Sequence, residues 1–348
     1  MSPYVITILM SSLGLGTALT FMSSHWLLAW MGLEINTLAI LPLMAQHHHP
    51  RAVEATTKYF LTQAAAAATI LFASTINAWI TGEWNIYSLS HPIATVLITM
   101  ALALKVGLAP VHFWMPPVMQ GLDLPTGLIM ATWQKLAPFA LIIQMAPFTH
   151  PQLLTALALL SVFIGGWGGL NQTQLRKILA YSSIAHLGWM IIVVQFKPQL
   201  TILTLIIYIT MTSTTFLTFK LLSTTKISTL AMNWTKTPII TTAAALALLS
   251  LGGLPPLTGF MPKWLILQEL TVQGLPLTAT IMALSALLSL YFYLRLCYSM
   301  TLTISPNTNN SLTPWRLQNT QNTTLLATSM IMTLLLLPLT PLAQALVN

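Results

Sequence analysis

The amino-acid sequence predicts an all-α fold, a polytopic membrane helix bundle of about eleven transmembrane helices. Of its 348 residues, 55% are hydrophobic and only 5% are charged, against about 25% charged residues in an average soluble protein. The apolar residues also form segments of about 20 residues, the length that crosses a bilayer. A soluble domain of this composition would expose more apolar surface than water tolerates. Lipid is therefore expected to be its main solvent and a partner.

Eleven apolar segments have the length of a membrane span, and prolines or short polar stretches separate them. They are 4–22, 26–45, 59–80, 92–118, 125–145, 153–170, 178–194, 200–219, 238–267, 275–294 and 325–347. The fourth and ninth are too long for one straight crossing. We expect a single membrane domain over 1–348, with a first repeat at about 1–146, a second at about 147–300, and a C-terminal loop and last span at about 301–348.

The basic residues test this count, because an error of one span would scramble their alternation between the two sides. Only Lys197 falls on the side opposite the N-terminus. Such a bias predicts that the N-terminus lies on the positive side of the membrane and the C-terminus on the other. The basic residues on the N-terminal side are Arg51, Lys58, Arg176, Lys177, Lys220, Lys226, Lys236, Arg295 and Arg316.

Several function classes are excluded by what the sequence lacks. The net charge of +8 comes from scattered residues, without the basic run that binds nucleic acid. One cysteine, Cys297, supplies neither an internal disulfide nor the thiolates of an iron–sulfur cluster. No G-x-G-x-x-G motif follows a strand-like run, and the adjacent histidines at 47–49 cannot all face one metal ion. We expect no cofactor and no metal in this chain.

Four charged residues remain inside the predicted spans: Glu34, Lys105, Lys135 and Lys263. An ionisable group at the bilayer centre costs at least about 2.5–3.5 kcal/mol, so such residues usually mark an ion or proton path. Snorkelling to the interface is the alternative; it suits Lys263 but not the short side chain of Glu34. Desolvation lowers the pKa of a lysine and a nearby carboxylate raises it. A lysine whose distance from a glutamate changes can therefore load and release a proton.

Two histidines within the spans, His112 and His186, are candidate relays between such stations, because imidazole titrates near neutral pH. Each can also be interpreted as a structural histidine held by hydrogen bonds. The sequence does not decide between a relay and a structural role.

The two overlong spans share a pattern at a constant offset of 146 residues. Residues 107–116 read GLAPVHFWMP, and residues 253–262 read GLPPLTGFMP. Pro110 and Pro256 fall within the spans, where proline breaks a helix. Because five crossings separate the copies, they should run in opposite directions, and paired broken helices in inverted repeats are typical of transport folds. Lys105 precedes the first break and Lys263 follows the second.

Several motifs carry a family resemblance. The segments MGLEIN at 31–36, TWQKLAP at 132–138, LNQTQLRKILAYSS at 170–183 and GGLPPLTGF at 252–260 resemble the antiporter-like membrane-arm subunits of animal mitochondrial NADH–ubiquinone oxidoreductase, complex I. The resemblance covers nearly the whole chain and is weakest at 305–324.

The resemblance implies a proton-translocating subunit of an enzyme, in the mitochondrial inner membrane with the positive side as the matrix. It implies that Glu34 pairs with Lys105, that Lys135 links two half-channels, and that Lys263 faces the exit half. NADH, FMN, iron–sulfur clusters and ubiquinone are then expected on other subunits. Other complex I membrane-arm subunits are the expected partners, and protons the only small substrate.

The chain departs from the family pattern in two respects. Relatives commonly carry about fourteen helices, so a chain of eleven is expected to lack the first three. The charges of the repeat are also unequal: at the same offset, Glu34 corresponds to Ala180 and Lys135 to Ile281. The two halves are therefore not expected to be equivalent channels.

The sequence leaves two other functions open. The chain could be a subunit of a free-standing cation/proton antiporter, which would move protons without electron transfer. It could also be a structural membrane scaffold whose buried charges hold helices together. Blocking electron transfer separates the first alternative from a complex I subunit. A lysine-to-methionine change that spares assembly but abolishes pumping would exclude the second.

Overall fold

A computed structural model describes residues 2–46, 49–235, 237–303 and 323–347. Within these ranges every regular element is helical, apart from two isolated bridges, His25 with Asn85 and Gln174 with Lys226. The predicted all-α class is therefore confirmed. Two of the adjacent histidines, at 47 and 48, and nearly all of the expected extramembrane loop at 305–324 lie outside the described residues.

The chain divides into two compact units. The first comprises Met1–Ser161 with Val194–Pro198, and the second comprises Val162–Val193 with Gln199–Asn348. The helices of the first unit are α1 Pro3–Met22, α2 Trp26–Met44, α3 Pro50–Thr81, α4 Pro92–Val106, α5 Met115–Gly121, α6 Leu124–Ala131 and α7 Trp133–Met145. Helix α8, Pro151–Gly169, contributes residues to both units.

The second unit contains the remaining helices. They are α9 Leu175–Val193, α10 Pro198–Leu221, α11 Ile227–Met232, α12 Pro238–Gly252, α13 Phe260–Val272, α14 Pro276–Thr301, α15 Thr324–Leu335 and α16 Thr340–Val347. Helix α14 packs against α12, α13 and α9. Helix α9 is buried along almost its whole length, so it forms part of the core of this unit.

Seven helical segments among the described residues are long and apolar enough to cross a membrane, and three shorter apolar helices accompany them. The polytopic prediction is confirmed at this level, and the count of eleven stays a prediction. The seven segments are Pro3–Met22, Trp26–Met44, Pro50–Thr81, Leu124–Phe148, Pro151–Gly169, Pro198–Leu221 and Pro276–Thr301; the shorter helices are Pro92–Val106, Pro238–Gly252 and Thr324–Leu335.

The third span begins earlier than the sequence suggested, at Pro50 rather than at 59. Proline suits the first helical position, and the His49 side chain accepts a hydrogen bond from the Arg51 N–H at 3.2 Å. Glu54 and Lys58 then form an ion pair one turn apart, which supports an exposed helical turn. Arg51 and Lys58 therefore lie on α3, not on a loop.

The sequence predicted two broken helices, and the structure interrupts two further spans. Helices α6 and α7 are separated at Thr132, whose hydroxyl donates to the Leu128 carbonyl at 2.7 Å. Such a side-chain bond competes with the helical ladder and bends it. The last span is divided between α15 and α16, and Pro338 and Pro341 lie at that division, where each removes a backbone donor.

Helices α1 and α2 pack closely against each other in the first unit. A β-carbon added to Gly16 would lie 2.9 Å from the Gly32 carbonyl oxygen, and one added to Gly32 would lie 2.8 Å from the Gly16 carbonyl oxygen. Only glycine allows the two backbones to approach this closely. The face of α2 that includes Asn36 is thereby buried.

Candidate functional site

The first predicted break is confirmed between α4 and α5. Helix α4 ends at Val106, and Gly107 follows with φ +87°, a conformation that favours glycine. The N–H groups of Gly107 and Leu108 both donate to the Ala103 carbonyl at 2.9 Å, a helix-terminating pattern. Helix α5 starts only at Met115, so residues 107–114 form the interruption.

The second predicted break has the same backbone pattern 146 residues later. Helix α12 ends at Gly252, and Gly253 has φ +81°. The N–H groups of Gly253 and Leu254 donate to the Leu249 carbonyl at 3.1 and 3.4 Å. Helix α13 begins at Phe260. The two breaks therefore share one local backbone pattern at the offset of 146 residues, and the division of the whole chain into two repeats stays a prediction.

Lys105 and Lys135 meet at one cavity in the first unit. Both side chains are buried, with 6% and 4% of their surface exposed. The space available to water in this cavity is about 20 Å³, more than the roughly 10–15 Å³ that a single water needs. Tyr59, Gln63 and Gln134 contribute polar groups to its wall. Two buried lysines thus share a small space that has several polar groups in its wall and can hold water.

Glu34 lies near enough to Lys105 for the two charges to interact. Lys105 makes no ion pair within 4.0 Å in the described part of the chain. Its Nζ atom and Oε2 of Glu34 are both buried without a hydrogen-bond partner among the described residues. The pair is therefore close enough for its charges to interact but is not locked in a direct salt bridge.

His112 lies in the first interruption and is buried, with 3% exposed. Its side chain hydrogen-bonds to the backbone of Pro110, and its ring packs on Phe113 with centroids 4.5 Å apart. Lys105 and Lys135 line the cavity, whereas His112 is not among its lining residues. The structure therefore brings Lys135 and Lys105 to one cavity and leaves His112 outside its lining.

Lys263 belongs to the second unit and is half-buried on α13. Its Nζ donates to the Gly252 carbonyl oxygen at 2.8 Å. That carbonyl belongs to the last residue of α12, where the helix dipole favours a cation. Lys263 therefore reaches back across the second break, rather than extending away from it to an interface.

His186 also lies in the second unit, half-buried on α9. Its ring packs against Tyr208 of α10, with centroids 5.7 Å apart. The side chain of Tyr208 hydrogen-bonds to Ser183, one turn before His186. The histidine is thus next to buried hydroxyl groups of its own unit.

Several polar residues near these sites were not singled out from the sequence. Tyr59 and Gln63 line the first cavity and are almost fully buried. Glu269 lies on α13 beyond the predicted end of the ninth span, is 5% exposed, and accepts a hydrogen bond from Gln273 at 3.0 Å. Helical spacing from Pro262 and Ile266 would have placed Glu269 on the buried face.

In the described ranges, no group of three or more His, Cys, Asp or Glu side chains could hold a metal ion. The chemistry that these sites offer is proton transfer between lysine, carboxylate, imidazole and hydroxyl groups.

Broken apolar helices, with a buried lysine beside the first break and a half-buried lysine beside the second, define a multi-pass membrane protein of the transport type. Residues 23–289 match the family model described as the membrane part of the NADH:quinone oxidoreductase/Mrp antiporter family. Residues 290–344 match the C-terminus of NADH dehydrogenase subunit 2. The chain therefore belongs to the NADH dehydrogenase subunit 2 branch of the NADH:quinone oxidoreductase/Mrp antiporter family.

Full-length relatives and a solved structure are similar to this chain. It is 73% identical to NADH-ubiquinone oxidoreductase chain 2 of Formosania lacustris, over 99% of each chain. It is 74% identical to the protein of that name from Carassius auratus, over 98% of each. A chain of respiratory complex I from Thermus thermophilus superposes with a TM-score of 0.87 at 28% identity, covering 99% of this chain and 80% of that one.

Proposed function

We propose that this chain is a proton-translocating membrane-arm subunit of respiratory NADH:ubiquinone oxidoreductase, complex I. Its relatives at 73% and 74% identity carry the name of that enzyme's chain 2. The reaction is NADH oxidation and ubiquinone reduction on other subunits, which carry NADH, FMN, iron–sulfur clusters and the quinone. This chain uses the released free energy to move protons.

The observation that carries the mechanism is the shared cavity of Lys105 and Lys135, with Glu34 acting on Lys105. Lys105 holds a proton more strongly while the Glu34 carboxylate is charged and close. A change in that distance or charge releases the proton toward the cavity. Lys135 on the same cavity then receives it, with water in the polar space as carrier. His112 is a further candidate acceptor beside the first break.

The second unit supplies the exit half of the path, with Lys263 as its station and His186 as a relay. Lys105 lies in the last turn of α4, and the Lys263 amine reaches the last carbonyl of α12 from the first turn of α13. Each amine is therefore at the C-terminal end of a half-helix, where carbonyls without a helical partner favour a cation. In this proposal the two repeats are inverted within one membrane domain of eleven spans. The N-terminus faces the matrix and the C-terminus faces the intermembrane space of the mitochondrial inner membrane. Other membrane-arm subunits and lipid surround the chain.

The test replaces Lys135 by Met, which keeps the side-chain length and removes the charge. In complex reconstituted into liposomes, Lys135→Met should reduce NADH-driven proton uptake by about a hundredfold or more, the effect of a positioned proton-transfer group. Assembly, measured as the amount of intact purified complex, should be normal. Lys220→Met is the matched control, because Lys220 is exposed at the end of α10. Normal pumping by assembled Lys135→Met complex would refute the proposal.

A free-standing cation/proton antiporter is the second candidate, because the matching family model includes Mrp antiporters. An inhibitor of quinone reduction discriminates between the two. Such an inhibitor should stop proton movement through this chain if it works within complex I. Continued cation-driven proton exchange would favour the antiporter.

A further inference from the structure

Two tyrosines in the second unit place hydroxyl groups where a core normally has none. Tyr208 of α10 and Tyr293 of α14 are 2% and 1% exposed. Burying a hydroxyl is unfavourable unless it is hydrogen-bonded, and phenylalanine would fill the same space without that cost. Tyr208 packs against His186, as described above, whereas Tyr293 belongs to none of the lysine and histidine sites described so far.

The two hydroxyls meet neighbouring serines of one helix. Tyr208 hydrogen-bonds to the side chain of Ser183, and Tyr293 faces the side chain of Ser182. Both serines are fully buried on α9. Tyr208 and Tyr293 are also close enough to interact electrostatically with each other. Four hydroxyl groups are therefore gathered between α9, α10 and α14.

One end of this cluster adjoins His186. The histidine follows Ser182 and Ser183 by one helical turn, so the three side chains share a face of α9. Its ring centroid lies 5.7 Å from that of Tyr208. Imidazole accepts and donates protons near neutral pH. His186 is thus positioned to exchange protons with the hydroxyl cluster.

The other end adjoins the residue that binds Lys263. A β-carbon added to Gly252 would lie 3.7 Å from Cδ2 and 4.0 Å from Cβ of Tyr293. The backbone end of the tyrosine side chain therefore packs on Gly252, and the hydroxyl at the other end of the ring faces Ser182. The Gly252 carbonyl accepts the hydrogen bond from Lys263 Nζ. The Tyr293 hydroxyl itself has no full hydrogen bond among the described residues, although it is buried. It therefore has donor and acceptor capacity left for a moving proton or a water.

We propose that Tyr208, Tyr293, Ser182 and Ser183 form a hydroxyl relay that carries protons between His186 and Lys263, with a water bound to the Tyr293 hydroxyl completing the last step to the Lys263 amine. The inference rests on the proposed function and extends its second half. In each step an oxygen accepts a proton from one neighbour as its own O–H bond breaks toward the next. The neutral hydroxyls are restored afterwards, the His186 imidazole and Lys263 amine exchange one proton in total, and no oxidant or reductant is needed.

A structural role for the tyrosines makes different predictions. If the hydroxyls only fasten α10 and α14 to α9, their removal lowers stability and the amount of assembled complex. The rate of each assembled complex would then be unchanged. If they relay protons, the rate per assembled complex falls, and the fall is larger in D₂O because proton transfer has become limiting.

The experiment replaces both tyrosines by phenylalanine in the whole complex. Tyr291→Phe is the control, because Tyr291 lies on the same helix and is 60% exposed. For the double variant Tyr208→Phe/Tyr293→Phe we expect NADH-driven proton uptake per assembled complex to fall by about tenfold. This loss is smaller than the roughly hundredfold loss expected when a positioned proton-transfer group is removed, because water can partly replace the hydroxyls. The ratio of rates in H₂O and D₂O should rise. If the double variant does not assemble, each single variant is measured, with the same direction expected.

Normal uptake and an unchanged isotope ratio in these variants would overturn the relay. Lys135→Met, measured in parallel, separates this failure from a failure of the proposed function. If Lys135→Met stops pumping while the tyrosine variants pump normally, the relay alone is wrong. If Lys135→Met also pumps normally, the proton-path function is wrong, and the relay falls with it.

Discussion

The two broken helices share a backbone and differ in how their lysines are held. Helices α4 and α12 have the same length of 15 residues and stand at the repeat offset of 146. Each ends in a glycine with positive φ and the same pair of turn hydrogen bonds. Both half-helices therefore end inside the apolar core with the same backbone arrangement.

The difference lies in the donor that crosses each break. In the first break, Nε1–H of Trp114 donates to the Leu104 carbonyl at 3.0 Å. The residue at the repeat offset from Trp114 is Phe260, which has no donor. In the second break, Lys263 donates to the Gly252 carbonyl instead.

This exchange of donors leaves the two lysines with different freedom. Lys263 is fixed to a backbone carbonyl, and an amine donates to a carbonyl whether or not it carries the extra proton. Lys105 has no such bond, and it interacts with the charge of Glu34. The comparison therefore indicates that the first break is built to respond to a carboxylate, and the second to hold its lysine in a constant position.

Of the substitutions at the two breaks, Trp114→Phe should lower coupled turnover most. It gives the first break the aromatic residue found at the equivalent position of the second. A buried carbonyl left without a donor costs about 1–3 kcal/mol. We expect coupled turnover to fall by about tenfold, equivalent to about 1.4 kcal/mol. NADH-driven proton uptake per assembled complex is the measurement. Trp79→Phe is the control, because Trp79 is 90% exposed. An equal loss of turnover in both variants would show that the hydrogen bond from Trp114 to the Leu104 carbonyl has no specific role.

A smaller effect is expected at the second break from Gly253→Ala. A β-carbon there would lie 2.9 Å from Lys263 Nζ and would displace the amine from its carbonyl. We expect coupled turnover to fall by about threefold, roughly 0.65 kcal/mol.

Gly82→Ala is the matched control for that substitution. Gly82 also has positive φ, at +75°, but has open space around its α-carbon. Both variants should lose about 1–2 kcal/mol of stability from backbone strain, measured by heat inactivation of the complex. Only Gly253→Ala should also lose turnover; a similar loss in both would show that strain alone, rather than the lysine contact, matters.

Much of the fold could be predicted because apolar length and proline position act locally. The glycine and proline at 107 and 110, repeated at 253 and 256, indicate both interruptions from the sequence alone. The charges Glu34, Lys105 and Lys135 stood out because lipid makes such residues costly. Their gathering in one unit follows from that cost, since each needs a polar neighbour.

The rest depends on contacts between residues distant in sequence. Many threonines in these helices donate a hydrogen bond to a carbonyl one turn earlier without interrupting the helix. The sequence around Thr132 does not distinguish it from them. The donation from Trp114 to Leu104 depends on how the chain turns back after the break. Tyr208 and Tyr293 lie on apolar helices, and only packing against Ser182 and Ser183 separates them from ordinary aromatic residues. The inverted arrangement of the two repeats stays a prediction.

A double-mutant cycle on Glu34 and Lys105 tests the central claim, that these residues act as one charge-coupled pair in the first unit. Proton uptake per assembled complex is measured for Glu34→Gln, Lys105→Met and the double variant. Coupling predicts that the double variant is about as slow as the slower single variant, with an interaction energy of roughly 0.5–3 kcal/mol. A control cycle of Glu34→Gln with Lys220→Met should show independent effects. If the effects of Glu34→Gln and Lys105→Met simply multiply, the two residues act separately and the account is contradicted.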